Sequence, residues 1–391
     1  MLVMLLGLSA CSSESDPFAY IDATEVDDSD VDAVDSDPAE LHTVPHGSSR
    51  SEEAIYPQPD WETGAPEDHG LSGAGLAQLA AVAQGLNSNC LVVIHEGVLV
   101  GEWYWHNYGP NTKQLNVWSV TKSVTSALVG IAQSQGLLEI DDSAADYIDE
   151  WAGTPAEAVT IRDLISNDSG RYWDYTTDSA VLLTAPNQTQ FAIDLSQAQP
   201  PGSRWEYNNS AIQTLERVLE VATGQDVEAF AQENLFLPLG MNVSMGRDLV
   251  GNPQTFIGIS ASCRDLARFG YLYLQQGKWA GGQQIIPAAW VDASSTPSTP
   301  LNSAYGFMWW LNVPGHWVLP ATPQRREGDG KLFPNAPEDL YLALGLFGQM
   351  ITIDVEGGYV IVRLGNQDNS MDMVGYDTVV ALWDAFAAAK L

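Results

Sequence analysis

Basic residues are scarce in this chain. Its 391 residues hold 5 Lys and 11 Arg against 50 Asp and Glu, with 3 Cys and 6 His. A formal net charge of −34 lacks the basic footprint of a nucleic-acid binder and disfavours anionic membranes. It suits a soluble chain, including one in saline surroundings, and an acidic solvated face needs no partner. The six histidines form no helix-spaced zinc motif. Gly-x-Ser-x-Gly is also missing, which argues against the nucleophile elbow of an α/β-hydrolase.

The acidity is uneven. Residues 12–70 carry 17 acids and one base, Arg50, whereas residues 71–391 carry 33 acids and 15 bases. The segment 12–55 is rich in Asp, Glu and Ser and poor in large apolar residues, so it cannot bury enough surface to fold alone. It reads as a tether. Ahead of it, MLVMLLGLSAC is apolar, and Leu8-Ser9-Ala10-Cys11 resembles a bacterial lipobox. That likeness implies a leader within residues 1–11 that is cut before Cys11, lipid on Cys11, and export to the bacterial cell envelope, on the periplasmic or outer-membrane face. The membrane is then met only through the lipid. No Lys or Arg precedes the apolar run, as a signal sequence would require, so the true start is expected upstream. The remaining cysteines, Cys90 and Cys263, allow one pairing, but sequence does not give their distance. They read as two buried free thiols.

Order begins near residue 70. Leu76, Leu79, Ala80 and Val82 have the spacing of an amphipathic helix. Two β-rich runs then flank Glu96-Gly97, a hairpin signal. Helical patterns fill the middle: 120–135, 143–149, 160–168, 210–224, 226–235 and 262–277. Strand-like runs return at 304–313, 340–345, 349–355 and 359–365, and a last helix covers 374–389. The pattern predicts an α+β body whose sheet is built from both chain ends, with a mainly helical insert and a cleft between them. The boundaries fall at 56–112, 113–302 and 303–391.

The chemistry-bearing motif is Ser119-Val120-Thr121-Lys122. Residues at i and i+3 share a helix face. Ser119 would sit at the helix start, where backbone N–H groups favour developing negative charge. Lys122 lies in an apolar helix, where burial lowers an ammonium's pKa toward neutrality and makes it a base for serine. The motif alone is also compatible with a capping serine and a surface lysine. In Tyr207-Asn208-Asn209, the asparagines suit helix capping; Tyr207 is either a core tyrosine or a phenol tuned for proton transfer. In LALGLFGQMITIDV, Gly345 and Gly348 bracket a strand entrance, either as an edge bulge or for close approach to a ligand.

In this order the three motifs resemble the serine β-lactamase and penicillin-binding-protein superfamily, and within it the class C-like branch that includes family VIII carboxylesterases and 6-aminohexanoate-dimer hydrolases. Agreement runs over roughly residues 70–390 and includes DLISNDSG, PPGSRWEYNNS and SASCRDLARFG. The resemblance implies a β-lactamase/transpeptidase-like α+β fold. It makes Ser119 the acylated nucleophile, Lys122 its activator and Tyr207 the proton relay. The backbone N–H groups of Ser119 and Gln349 become the oxyanion hole, and Asn209 and Gly348 bind substrate. The family needs no metal or cofactor.

One departure is informative. The family's third motif commonly carries Lys or His, whereas the matching stretch is read here as Leu346-Phe347-Gly348. No cation waits there for a β-lactam carboxylate. The expected reaction is therefore cleavage of a small ester or amide by a serine hydrolase. A β-lactamase or D-Ala carboxypeptidase is the alternative, and a binding protein without turnover a third. Arg325, Arg326 and Lys331 read as solvated loop charges. Trp173, Tyr175, Trp309 and Trp310 are pocket candidates, although aromatics of that size are commonly core.

Overall fold

The computed structural model describes residues 54–110, 113–322, 324–366 and 375–391. The leader, Cys11 and nearly all of the tether lie outside the described residues. Among the described residues no helix is long and apolar enough to cross a membrane.

A seven-stranded sheet forms the frame. Its strands are β1 (Glu62–Thr63), β2 (Ser88–His95), β3 (Val98–Tyr104), β4 (Trp310–Leu311), β5 (Leu340–Gly345), β6 (Gln349–Asp354) and β7 (Tyr359–Gly365), in the order β1-β3-β2-β7-β6-β5-β4. Both chain ends contribute, as expected, and the β2–β7 pairing joins them antiparallel from His95–Tyr359 to Ser88–Gly365. Only the two-residue edge strand β1 pairs parallel. The β2–β3 turn places Glu96 and Gly97 at φ 47° and 88°, the left-handed pair that a tight hairpin demands.

Alternation along the strands builds two cores. Val92, Ile94, Ile351, Ile353, Val360 and Val362 face helix α2 (Val120–Ser134) and helix α3 (Cys263–Leu274). Leu91, Val93, Met350 and Ile361 face the opposite layer, with Leu76 and Leu79 of helix α1 (Gly73–Gly85) and Leu382 and Phe386 of helix α4 (Tyr376–Ala387). A sheet covered on both faces explains why β2 reads as a continuous apolar run.

The thiols are not free. Cys90 of β2 and Cys263, the first residue of α3, form a disulfide with Cα atoms 6.3 Å apart across 173 residues of sequence. The packing of α3 on the sheet creates that proximity, which spacing along the chain cannot show. The helical insert also breaks up more than its pattern suggests. The 226–235 run divides into Val227–Ala231 and a wider turn, Gln232–Phe236. The 143–149 run is a pair of short 3₁₀ turns. In the 304–313 run only Trp310–Leu311 is strand. A hairpin of Gly315–Leu319 with Arg326–Gly330 lies where loop was expected.

Candidate active site

Helix α2 is the central feature. Every residue from Val120 to Ala132 is buried, so it is wrapped on all sides rather than amphipathic. Several of its polar side chains bond to the backbone of a neighbouring segment. Thr125 Oγ1 donates to Thr255 O at 2.7 Å, Lys122 Nζ to Phe256 O at 2.9 Å, and Thr121 Oγ1 accepts from Ile259 N at 3.1 Å. These three bonds lace the start of α2 to the segment 255–259, and Lys122 is buried.

Ser119 stands at the N-cap of α2, yet its hydroxyl makes no capping bond. It accepts instead from Lys122 Nζ at 2.8 Å. Burial pushes the Lys122 ammonium down to about 7, while the nearby Asp178 carboxylate acts in the opposite sense. The preceding residue, Trp118, has φ 50°, an uncommon value for a bulky side chain and one that clusters at functional sites. Its N–H donates to Asn116 Oδ1 at 2.6 Å.

Tyr207 arrives from the opposite wall. Its ring lies 4.8 Å under Lys122 Nζ and stacks on Trp310 at 6.0 Å. Burial pushes its phenol well above the usual range, and a hydrogen bond with Ser119 opposes that shift. Asn208, the residue between Tyr207 and Asn209, is the true helix cap: its Oδ1 accepts from Ala211 N at 2.8 Å, and its Nδ2 donates to Arg171 O and Tyr172 O. The cap thereby ties the Tyr207 loop to the aromatic segment 172–175.

Ser119, Tyr207 and Asn209 line one cavity of about 200 Å³. Trp173, Tyr175 and Trp310 line it as expected, together with Trp118, Phe256 and Leu344. Trp309 does not: it is fully buried, packed between Tyr273 and Tyr341. Arg325 bonds Trp205 O and pairs with Glu206 and Glu327, and Lys331 donates to Ala336 O. None of Arg325, Arg326 and Lys331 lines the cavity. Among the described residues no cluster of His, Cys, Asp and Glu is arranged to hold a metal.

The third motif is displaced by three residues from its expected place. Gln349 is paired with Gly345 in the sheet and buried. Its side chain donates to Leu346 O and Gly365 O and accepts from Gly365 N. Gly348 packs against Arg363 and Thr378. Neither lines the cavity; Gly345 and Leu346 do. A Cβ on Gly345 would lie 2.4 Å from Val117 O and 3.1 Å from Ser119 N. The glycine next to Ser119 is thus the one that begins the turn, not the one that ends it. Between them Phe347, at φ 64°, sets its ring against Trp118 at 5.5 Å, and Arg363 donates to its carbonyl.

Three contributors escaped sequence reasoning. Phe256 acts through a backbone carbonyl, which carries no sequence signal. Arg363 is hidden in a strand. Asp178 is one acid among fifty, in a segment without readable periodicity.

Comparison with known proteins agrees with this geometry. A family model described as Beta-lactamase matches residues 61–382. The chain is 25% identical over 318 residues to an uncharacterized protein of Alkalihalophilus pseudofirmus, covering 73% of this chain and 85% of that one. It is 33% identical over 247 residues to penicillin-binding protein 4 of Amycolatopsis lactamdurans, covering 51% and 63%. Among solved structures, a candidate 6-aminohexanoate-dimer hydrolase from Bacillus anthracis superposes with a TM-score of 0.67 at 21% identity, covering 90% of this chain and 92% of that one. Fold, motif order and family match converge: the chain belongs to the Beta-lactamase family of hydrolases, with a β-lactamase/transpeptidase-like fold.

Proposed function

We propose that the protein is a serine hydrolase that cleaves a small, uncharged ester or amide through an acyl-enzyme on Ser119. The observation that carries this is the 2.8 Å bond from Lys122 Nζ to Ser119 Oγ, made by an amine that burial brings to about 7. A base poised near the working pH suits proton abstraction. As Ser119 Oγ attacks the carbonyl, its proton passes to Lys122. The Tyr207 phenol, held protonated, relays a proton to the departing oxygen or nitrogen. Water then attacks the acyl group with the same pair in reverse roles. The N–H groups of Ser119 and Leu346, in place of Gln349, are the proposed oxyanion donors. Asn209, at the cavity wall, is the proposed contact to the substrate's polar group.

The lining supports an uncharged substrate. Among the described residues it is largely aromatic and aliphatic, includes no Arg or Lys, and contains one carboxylate, Asp178. With Gly345 against the nucleophile, the three residues ending there are Ala343-Leu344-Gly345, again without a cation for a substrate carboxylate. The runner-up is a β-lactamase or D-Ala carboxypeptidase, favoured by relatives such as the penicillin-binding protein above. Hydrolysis of p-nitrophenyl butyrate by residues 56–391 separates them from each other. We expect turnover that falls about 10³-fold or more in Ser119→Ala, and no labelling by a fluorescent penicillin. Penicillin labelling without ester turnover would overturn the ester and amide reading. The same reading places the protein in the cell envelope, anchored through Cys11. The Cys90–Cys263 disulfide, a bond typical of oxidising compartments, supports export. Mass spectrometry of membrane-extracted protein checks the anchor; an unmodified Cys11 behind an intact Met1 would contradict it.

A further inference from the structure

Asp178 is a carboxylate with 5% exposure at the wall of the cavity. It lies in the wide turn Thr177–Val181, outside the three motifs. Four donors converge on it. Asn209 N and Nδ2 reach Oδ2 at 3.0 and 2.8 Å, and Ser210 N and Oγ reach Oδ1 at 2.8 and 3.0 Å. This surrounding is the one an ionised carboxylate requires, because such a group only accepts. The two backbone donors belong to the first turn of the short helix Asn209–Gln213, which directly follows Tyr207. Asp178 therefore holds the end of the Tyr207 loop from outside, while Asn208 caps it from within.

The amide of Asn209 is oriented by the same contact. Its Nδ2 must face the carboxylate, and its Oδ1 is thereby turned away, buried and without a hydrogen-bond partner. The titratable and charged groups that bear on one another here are Lys122, Asp178, Tyr207 and Glu206. Among them Lys122 is the cation of the acylation step. Burial raises the Asp178 carboxyl, the Ser210 and Asn209 hydrogen bonds and Lys122 act in the opposite sense, and in its ionised form Asp178 favours the Lys122 cation.

We propose that Asp178 is the positioning residue of this site: it fixes Tyr207 and Asn209 against the nucleophile and supplies the negative charge that balances Lys122 once Lys122 has taken the serine proton. It acts on the reaction through its neighbours. The inference rests on the acyl-enzyme reading above.

The test is the pH profile of kcat/KM for p-nitrophenyl butyrate in the wild type, Asp178→Asn, Asp178→Glu and Ser119→Ala, with far- and near-UV circular dichroism to establish folding. In Asp178→Asn the added amide N–H groups meet two donors and the charge is gone. We expect kcat/KM above the acid limb to fall about 10-fold or more. We expect the acid limb to move about one unit to lower pH, because an amine that loses a nearby anion releases its proton more readily. Asp178→Glu keeps the charge and changes the reach, so its rate should fall with the limb in place. It also serves as the deciding variant should Asp178→Asn not fold. An unshifted limb in folded Asp178→Asn, or wild-type rates in Asp178→Glu, would overturn the proposal. Wild-type activity no higher than Ser119→Ala would overturn both this inference and the acyl-enzyme reading, whereas a wild type far above that blank confines any failure to Asp178.

Discussion

A lysine sealed inside a helix is a poor choice for stability and a good one for chemistry. Lys122 is 1% exposed and pushed down to about 7 from its ordinary value of 10.5. Its folded pKa lies below its unfolded one, so the unfolded chain binds more protons between those values, and burial costs stability that is regained as pH rises. Lys122→Met should therefore abolish turnover and raise the melting temperature. The gain should be largest below about pH 7 and shrink toward 10.5; differential scanning calorimetry across pH reads it. A lower melting temperature at pH 6 would mean that the hydrogen bonds to Ser119 and Phe256 outweigh desolvation. In the wild type, kcat/KM should climb through about pH 7 as Lys122 sheds its proton. The profile should have no alkaline fall within the ordinary phenol range, because burial keeps Tyr207 protonated there.

At the scale of elements, Ser119 and Lys122 were legible because both lie on one helix, one turn apart. Helix α2 and strands β5 and β7 match their apolar runs closely, since local pattern and tertiary burial agree there. The third motif was found but misplaced. Gly345 and Gly348 look alike in sequence, and only the packing of β5 against α2 shows which one lies against Ser119. Gly345→Ala should lower kcat/KM about 10²-fold, because the new methyl would press on Val117 O and Ser119 N. Wild-type rates in that variant would move the oxyanion site elsewhere. The disulfide was misjudged for a related reason: strand β2 and helix α3 are far apart in sequence, and only their packing in the folded chain brings Cys90 to Cys263. Replacing both cysteines by Ala should cost about 3–5 kcal/mol for a loop of this length, measured by urea denaturation with and without reductant. A reductant-insensitive midpoint in the wild type would contradict the bond.

At the scale of the whole molecule, the sheet closes only when strands from residues 88–104 and 340–365 meet. The cavity forms where the insert's Tyr207 loop faces the C-terminal end of β5. Its apolar wall contrasts with the acidity of the chain, whose residues 71–391 alone carry a balance of −18. Like charges at that density repel within the compact state, and added salt screens them. Sodium chloride should accordingly raise the melting temperature from its low-salt value. A steady fall would show that exposed pairs such as Arg247 with Asp226 and Glu228 dominate over the net repulsion.

The central claim is a covalent bond to Ser119. Rapid acid quench of the protein with p-nitrophenyl butyrate, followed by peptide mass mapping, tests it most directly. The account predicts one butyryl group on the peptide containing Ser119, and none in Ser119→Ala. A butyryl group on another residue, or turnover that persists unchanged in Ser119→Ala, would contradict it.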